Sequence, residues 1–463
     1  MQDIGNQNWE YAHRLLQCVA VAARPLRVKE LAEFLAFDFN TESSPIFRED
    51  WLSEDPGYAV RSTCSSLLAV VDVDGYQVIQ FAHFSVKEYL ISKRLREANN
   101  TISRFHVSMT PAHTMIARAC LGILLHLDEN VTEYDLKNCP LADYAAEHWV
   151  THALFEDVSP KIQNAMMYLF DPSKHHLPVW VWIYDPISPW RRRSDRSEYP
   201  SQLRASPLHY AAATGIHDIV ELLIISHPRD VNSRCLDNKT ALSIASQKGH
   251  SKVARVLLEH GVDTELRDEI GWTPLQQASD KGHTEVVQLL LEFEADVEAQ
   301  TGSNNCALHF ASASGRLAVV RVLLEHGADV RAREYQGATP LHHASKAGVA
   351  QILLQHGADA NDLDEDDRTP LHFALIFRKV EVAKFLLQYG AEVNLRDCIM
   401  QTPLFLASEA GDLDLVRLIL QRGADIHAQD VCGWTSFQIA SHFEHSDIMR
   451  LLLEHGAKDH RMQ

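Results

Sequence analysis

Two histidines on one predicted helix are the residues whose type and spacing best suit metal chemistry. His148 and His152 lie four positions apart, so both imidazoles share one helical face. Histidine pairs of this kind bind zinc, but a zinc site needs at least a third protein ligand. No such ligand follows at a familiar spacing, and we therefore expect no metal at this pair.

Other catalytic and cofactor motifs are absent from the sequence. The eight cysteines form no C-x-x-C pair, and there is neither a G-x-S-x-G turn nor an H-E-x-x-H motif. The phosphate-binding pattern G-x-x-x-x-G-K-S/T does not occur either. The sequence thus predicts no catalytic residue, no metal and no cofactor, and a protein that is not an enzyme.

Charge and hydropathy narrow the range of partners. The chain holds 62 acidic and 43 basic residues, a formal net charge of −19, which repels phosphate backbones and argues against nucleic acid. No apolar stretch approaches the ~20 residues that span a bilayer, so no membrane association is expected. The N-terminus lacks a signal-peptide pattern. We expect a cytoplasmic protein with reduced cysteines, with the nucleus as the alternative because residues 191–193 are all arginine.

A tetrapeptide related to T-P-L-H occurs eight times, at steps of 30 to 34 residues. In most copies a pair of small residues, a glycine, a Val/Leu-rich run and a Gly-Ala-Asp follow. A fixed period of this kind indicates stacked supersecondary units. The copies begin at Ser206, Thr240, Thr273, Cys306, Thr339, Thr369, Thr402 and Thr435.

Each part of the motif has a physical role in a helix–turn–helix unit. Thr caps the first helix, and Pro suits its first position because it lacks an N–H that would be unpaired there. In the second helix, Val319, Val320 and Leu323 have the spacing of a buried face. Gly327 then suits the left-handed conformation that ends a helix.

These motifs strongly resemble the ankyrin repeat family. The resemblance implies eight units with projecting hairpins, stacked in an α-solenoid whose concave face binds proteins. It also implies structural roles for the motif histidines His209, His309, His342 and His372. The repeats would cover about residues 206–238, 240–271, 273–304, 306–337, 339–367, 369–400, 402–433 and 435–463.

Some positions depart from the repeat pattern. Repeat 5 is three residues short, and the interval from Gly348 to Gly357 predicts that its second helix loses a turn. Glu294 replaces a helix-ending glycine, at about 1 kcal/mol if the backbone stays left-handed. Arg378 and Glu444 replace glycines between two helices. No polar capping repeat closes the array, so we expect that the last repeat could self-associate.

The N-terminal residues are predicted to form three helices and a β-hairpin. The helices cover 8–23, 26–37 and 61–68, the hairpin covers 67–81, and Ser85 caps a further helix over 86–96. This order is a winged-helix plan, although the third helix carries only one positive charge, so DNA reading is not expected. Helices over 111–127, 140–155 and 159–170 would form a spacer. An aromatic cluster around Trp180 would dock that spacer on the first repeat.

A second resemblance concerns the runs 24–33 and 78–90, which look like the segment after the nucleotide-binding module of fungal NACHT–ankyrin proteins. These are NLR-like members of the STAND class, and the same winged helix occurs in GPI-inositol-deacylase-like proteins. The resemblance implies a mainly α chain with a winged helix (1–100), a helical spacer (101–190), a linker (191–203) and ankyrin repeats (204–463). His83 would be a vestigial nucleotide-sensing position, with a half-buried structural histidine as the alternative.

The resemblance to ankyrin proteins also predicts a partner surface, at the hairpin tips and the concave ends of the first helices. Exposed aromatic residues there would be anchors, and the acidic run from Asp364 to Asp367 would favour a basic partner segment. The predicted tip residues are Glu269, Ile270, Trp272, Tyr335, Gln336, Glu365, Asp366, Arg368, Ile399, Gln401, Val431 and Trp434. The predicted inner-helix residues are Asp280, Lys281, Lys346, Ile376, Phe377 and Glu409.

Two functions are consistent with the sequence. The first is a non-enzymatic scaffold or adaptor that binds a protein partner through its ankyrin repeats. The second is the C-terminal sensor part of an NLR-like NACHT ATPase switch, whose nucleotide-binding domain lies outside this chain.

Overall fold

The computed structural model describes residues 9–39, 45–48, 51, 55, 58, 67–98, 102–189 and 203–458. Its contacts divide the chain into two compact units, Met1–Leu236 and Asp237–Gln463. The first helix pair of the repeat array belongs to the N-terminal unit. The arginine run at 191–193, the linker to residue 202 and most of the predicted helix over 61–68 lie outside the described residues.

The N-terminal unit begins with helices around a small antiparallel sheet, in which the strand Tyr76–Phe81 lies between Leu26–Arg27 and Leu68–Val73. The hairpin is confirmed: Val73 pairs with Tyr76, and Asp74 and Gly75 between them have φ of 51° and 80°, as tight hairpin turns require. The elements are α1 (Trp9–Val21), β1 (Leu26–Arg27), α2 (Val28–Leu35), β2 (Phe37–Asp38), β3 (Ile46–Phe47), β4 (Leu68–Val73), β5 (Tyr76–Phe81), α3 (Phe84–Leu90) and α4 (Lys93–Arg96).

Two predictions for this unit were wrong in detail. The helix expected over 26–37 is shorter, because Leu26–Arg27 pairs with β5 and Phe37–Asp38 pairs with β3. The helix expected over 86–96 is split into α3 and α4. Its cap is His83 rather than Ser85, since the His83 ring accepts the Ser85 backbone N–H. Ser92 caps α4 by accepting the N–H of Leu95.

The predicted spacer helices are confirmed, with one additional short helix between them. Trp180 is fully buried, and its Nε1–H donates to the Ala146 carbonyl over 2.8 Å. Its ring centroid lies 5.4 Å from that of Trp149 and 5.7 Å from that of Phe170, so the aromatic cluster is a core within the spacer. The helices are α5 (Met109–His126), α6 (Glu133–Asn138), α7 (Leu141–Ala153), α8 (Ser159–Leu169) and α9 (His176–Ile183).

The repeats are pairs of antiparallel helices that begin as their motifs predict. Thr273, Thr369 and Thr435 accept the backbone N–H three residues on, and so cap first helices. The pairs are α10 (Pro207–Thr214) and α11 (His217–Ser226), α12 (Ala241–Lys248) and α13 (Ser251–Glu259), α14 (Pro274–Lys281) and α15 (Thr284–Glu292), α16 (Ala307–Ala313) and α17 (Leu317–Glu325), α18 (Pro340–His343) and α19 (Ala347–Gln355), α20 (Pro370–Ile376) and α21 (Val380–Tyr389), α22 (Pro403–Ala410) and α23 (Leu413–Gln421), and α24 (Ser436–His442) and α25 (Ser446–Glu454).

The prediction for repeat 5 named the wrong helix. Its second helix, α19, has nine residues, whereas its first helix, α18, has four. Val349 and Leu353 are fully buried, as are Leu323 and, almost entirely, Val319 in repeat 4. Matching these apolar positions puts the deletion before Lys346 rather than after Gly348. The buried face of the second helix is therefore kept, and the first helix loses its last turn.

The three residues that replace glycines all have a left-handed backbone. The φ angle is 61° at Glu294, 53° at Arg378 and 59° at Glu444. Each residue ends a helix in a conformation that suits glycine better, so the fold of the repeat is kept at some cost in free energy.

Candidate protein-binding surface

The hairpin tips are held by an acidic residue that the sequence analysis did not single out. Asp397 Oδ1 accepts the backbone N–H of Ile399 over 3.2 Å and that of Gln401 over 2.7 Å. The same pair of bonds recurs at Asp268, Glu334, Asp364 and Asp430. The signal was present in the sequence, as an acid five residues before the T-P-L-H motif.

Backbone hydrogen bonds join each of several tips to the next. The N–H of Tyr335 donates to the Ser303 carbonyl over 2.9 Å, and the N–H of Glu365 donates to Gln336 over 2.9 Å. Cys398 and Val431 donate in the same way to the carbonyls of Asp366 and Ile399. The tips from 303 to 431 thus form one hydrogen-bonded ladder, and a partner would meet side chains whose backbone is already ordered.

Motif histidines stabilise this ladder through hydrogen bonds to its backbone, which confirms their structural role. His342 Nδ1 accepts the N–H of Thr339, and its Nε2–H donates to the Arg368 carbonyl over 3.0 Å. His309 donates similarly to the Ala338 carbonyl over 3.3 Å. Burial lowers the pKa of both histidines to about 4, so both are neutral hydrogen-bond bridges at neutral pH.

The predicted tip residues differ in exposure. Tyr335 is 70%, Ile270 62% and Val431 61% exposed, whereas Trp272 is half-buried, with its ring centroid 4.1 Å from that of Phe310. The exposed tip residues are Glu269, Ile270, Tyr335, Gln336, Glu365, Ile399, Val431 and Trp434, and the half-buried ones are Trp272, Asp366, Arg368 and Gln401.

The residues predicted for the inner helices are more varied. Phe377 is 60% exposed, and its neighbour Ile376 is also exposed. Asp280 accepts Ser314 Oγ–H over 2.6 Å and pairs with Lys281 over 2.9 Å. Burial alone would raise the pKa of Asp280, but the bonds from these two residues lower it below its usual value.

Lys346 and Glu409, also predicted for the inner helices, lie in different settings. Lys346 does not lie on an inner helix, because the shortened α18 puts it at the residue before α19. The Glu409 side chain is half-buried, and its carbonyl accepts His445 Nε2–H over 3.2 Å, which bridges repeats 7 and 8. Related side-chain bonds to a preceding first helix are made by His283, Arg316 and Lys379.

Two of the four side chains in the acidic run from Asp364 to Asp367 make hydrogen bonds or ion pairs within the fold. Asp364 is buried and holds its tip turn through the N–H groups of Asp366 and Arg368. Asp366 pairs with the Arg368 guanidinium over 2.8 Å. Glu365 and Asp367 are the carboxylates of this run that are exposed, so the run offers a partner less negative charge than its sequence suggested.

His83 lies on the surface of the winged helix, at the start of α3. Its Nδ1 is 3.2 Å from the Ser85 backbone nitrogen, which donates to it, and 2.7 Å from Ser85 Oγ. The half-burial proposed for a structural histidine is not observed, because the side chain is exposed. The hydrogen bond from the Ser85 backbone nitrogen nevertheless shows that His83 caps the helix.

The histidines considered for zinc have other contacts. His152 is buried, with Nε2 3.0 Å from the Tyr144 hydroxyl and Nδ1 2.9 Å from His113 Nδ1. Burial, followed by the two neighbouring histidines, lowers the pKa of His152 to about 3. His148 instead approaches Glu147 at 3.6 Å. Within the described ranges, no group of three or more histidine, cysteine or acidic side chains is placed to bind a metal.

Comparison with protein families matches the two parts of the chain separately. Family profiles described as "Ankyrin repeats (3 copies)" match residues 193–268, 260–334 and 330–397, and one described as "Ankyrin repeats (many copies)" matches 404–453. A profile described as "GPI inositol-deacylase, winged helix domain" matches residues 2–103. Among the helices of the described part, none combines the length and apolar character needed to cross a bilayer.

Individual proteins match over about half of this chain. A relative from Monascus ruber, "Azaphilone pigments biosynthesis cluster protein L", is 32% identical over 260 residues, which is 53% of this chain and 54% of the relative. The chain therefore spans about half the length of that curated relative. The human ASB11 ankyrin repeat domain is 27% identical, with 48% of this chain and 100% of that chain covered and a TM-score of 0.45. The Bcl-3 ankyrin repeat domain is 30% identical, with 46% and 99% covered and a TM-score of 0.41.

Proposed function

We propose that this chain, which belongs to the ankyrin repeat family, is a non-enzymatic scaffold. It would bind a protein partner through its hairpin tips and concave helix ends. Ankyrin repeats are typical protein–protein interaction modules, and their architecture is typically non-catalytic. The winged-helix profile takes its name from an enzyme family, but that name describes a domain and assigns no hydrolysis to this chain.

One observation carries the proposal: large apolar side chains stand exposed on an ordered backbone. Ile270, Tyr335, Val431 and Phe377 are each at least 60% exposed, and Tyr335 and Val431 belong to the hydrogen-bonded ladder of tips. Exposed apolar residues grouped on one functional surface are typical of interaction sites. Because the backbone beneath them is fixed, binding would cost little ordering entropy.

The chemistry of this surface points to an amphipathic partner segment. The exposed tyrosine, isoleucine, valine and phenylalanine would bury apolar side chains of the partner. Glu365 and Asp367 would attract a basic residue at the rim, an effect that raises association rate more than affinity. We expect a protein partner rather than nucleic acid or a membrane, in the cytoplasm or nucleus.

Site-specific photo-crosslinking tests the surface directly. A photoreactive phenylalanine analogue at position 335 or 377 should crosslink one partner in cells of the source organism. The same analogue at Tyr389, an exposed tyrosine that ends α21, is the matched control. A partner captured equally at 335, 377 and 389 would contradict the proposed surface, as would no crosslink at the first two positions.

A second candidate function rests on the winged-helix match over residues 2–103. Here the chain would be the sensor and regulatory part of an NLR-like switch, with the nucleotide-binding domain supplied outside these 463 residues. His83 would then contact the bound nucleotide's phosphate. His83→Asn keeps a helix-capping side chain but removes the imidazole. If the switch exists, this variant should change nucleotide-dependent association with a P-loop protein without changing the stability of the winged helix.

Self-association through the last repeat is a separate proposal. Phe443 and Leu453 in that repeat are 46% and 44% exposed. Light scattering should show a concentration-dependent dimer that Leu453→Glu abolishes, while Leu317→Glu, at an exposed leucine of repeat 4, leaves it unchanged. A monomer at all concentrations would remove this proposal and leave the partner surface untouched.

A further inference from the structure

A groove in the N-terminal unit lies between α1 and α5, far along the sequence from the repeat surface. Its volume is about 500 Å³, within the range of small-molecule sites. His13, Arg14 and Gln17 line it from α1, and these positions recur with the period of one helical face. Met115 and Arg118 line it from α5 in the same way.

One part of the groove wall is apolar and aromatic. Trp9, Phe39, Pro111 and Met115 all line it. Trp9 and Phe39 are only half-buried, so their rings keep surface that a bound molecule could cover. A flat or aliphatic body of drug-like size would gain free energy by burying these side chains.

The charged part of the groove wall is positive, although the chain as a whole carries −19. Arg14, Arg118 and Lys161 line the groove, and Glu10 is the acid among the described lining residues. The Arg14 guanidinium is held in place, with Cζ 5.4 Å from the Phe39 ring centroid and Nη1 3.5 Å from the Phe37 carbonyl. Lys161 lies in the first turn of α8, where the helix dipole adds positive potential.

We propose that this groove binds a small organic anion, with an aromatic or aliphatic body against Trp9 and Phe39 and one acidic group against Arg14 and Lys161. The two halves of the wall suit the two halves of such a molecule. Charge-assisted hydrogen bonds would fix the acidic group, and apolar burial would supply the rest of the affinity.

A fluorescent aromatic sulfonate, 8-anilino-1-naphthalenesulfonate, is the probe for this site, titrated into the full folded chain. We expect saturable binding at one site. Arg14→Gln should weaken it about tenfold, since it removes a bond to a charged group. Lys161→Gln should weaken it about threefold, because that side chain is exposed and its charge is screened. Glu10→Gln should tighten it, because it removes a negative charge from the wall.

Two controls separate this site from general dye binding. Lys137→Gln makes the same charge change at an exposed residue of α6 that does not line the groove, and should leave the dissociation constant unchanged. The neutral analogue N-phenyl-1-naphthylamine should bind at least tenfold more weakly than the sulfonate. Three results would each overturn the proposal. The first is equal affinity for the neutral dye, and the second is an equal effect of Lys137→Gln and Lys161→Gln. The third is no effect of Arg14→Gln in a variant that unfolds like the wild type.

Discussion

The backbone N–H of Tyr335 donates to the carbonyl of Ser303 over 2.9 Å, so the most exposed aromatic ring of the predicted surface stands on a fixed backbone. Trp272, predicted as an equivalent anchor, instead covers the ring of Phe310 at 4.1 Å. The sequence analysis placed both at the hairpin tips, since both are aromatic residues shortly before a repeat motif. Their contacts indicate different roles: Tyr335 is available to a partner, whereas Trp272 packs within the fold.

Unfolding measurements on alanine variants should separate these two roles. Tyr335→Ala should change the free energy of unfolding by less than about 0.5 kcal/mol, as is usual for exposed side chains. Trp272→Ala should lower it by about 1–3 kcal/mol, because the half-buried contact between the rings of Trp272 and Phe310 is lost. Urea titrations followed by circular dichroism would measure both. Equal destabilisation by the two variants would contradict the assignment.

The acid that begins each tip turn gives a second prediction. Asp397→Ala leaves the N–H groups of Ile399 and Gln401 without their acceptor, and should cost about 1–3 kcal/mol. Asp397→Asn keeps an acceptor oxygen and should cost less. Glu392→Ala, at an exposed acid of the preceding turn, is the matched control and should be near neutral. If Asp397→Ala were as mild as the control, the turn would not depend on this carboxylate.

Much of the fold could be predicted from the sequence because each repeat contains local signals for where its helices begin and end. The Thr-Pro pair marks the start of a first helix, and apolar spacing marks the second, so both follow from local chemistry. Repeat 5 shows the limit of that approach. Gly348 looks like a turn glycine, but it lies within a helix, because the core requires Val349 and Leu353 to be buried.

The surface was harder to predict, because exposure and pairing depend on neighbouring repeats. The acidic run at 364–367 looked like a single charged patch. Asp364 is directed inwards only because the turn needs an acceptor for the N–H groups of Asp366 and Arg368. The bridging role of His445 likewise needs a carbonyl that lies 36 residues away in the sequence.

The buried motif histidines make the stability of the array dependent on pH. The pKa of His309 and of His342 is about 4 in the folded chain and near 6.5 when exposed, so below pH 6.5 the unfolded chain binds protons that the folded chain excludes. Stability should therefore be full above about pH 6.5 and decline as the pH falls towards 4. Urea midpoints measured between pH 4 and 8 would show this slope.

A double variant measures how much His309 and His342 contribute to the pH dependence of stability. Gln276 occupies the equivalent position in repeat 3, where its Oε1 accepts the Thr273 N–H and its Nε2 donates to the Ala299 carbonyl. His309→Gln with His342→Gln should keep comparable bonds and flatten the decline between pH 6.5 and 4. The remaining slope would then belong to other groups. A pH profile parallel to that of the wild type would show that these two histidines contribute nothing to it.

Glu294 offers a test of the departures from the repeat pattern, because it holds φ at 61° where a glycine would be unstrained. Glu294→Gly should raise the free energy of unfolding by about 0.5–1 kcal/mol, even though glycine increases the entropy of the unfolded chain. Glu292→Gly, two residues earlier and still within α15, is the matched control and should lower it by about 1 kcal/mol. Opposite signs from the same substitution would show that the local backbone decides the outcome. Destabilisation at both positions would mean that the Glu294 side chain contributes contacts worth more than its strain.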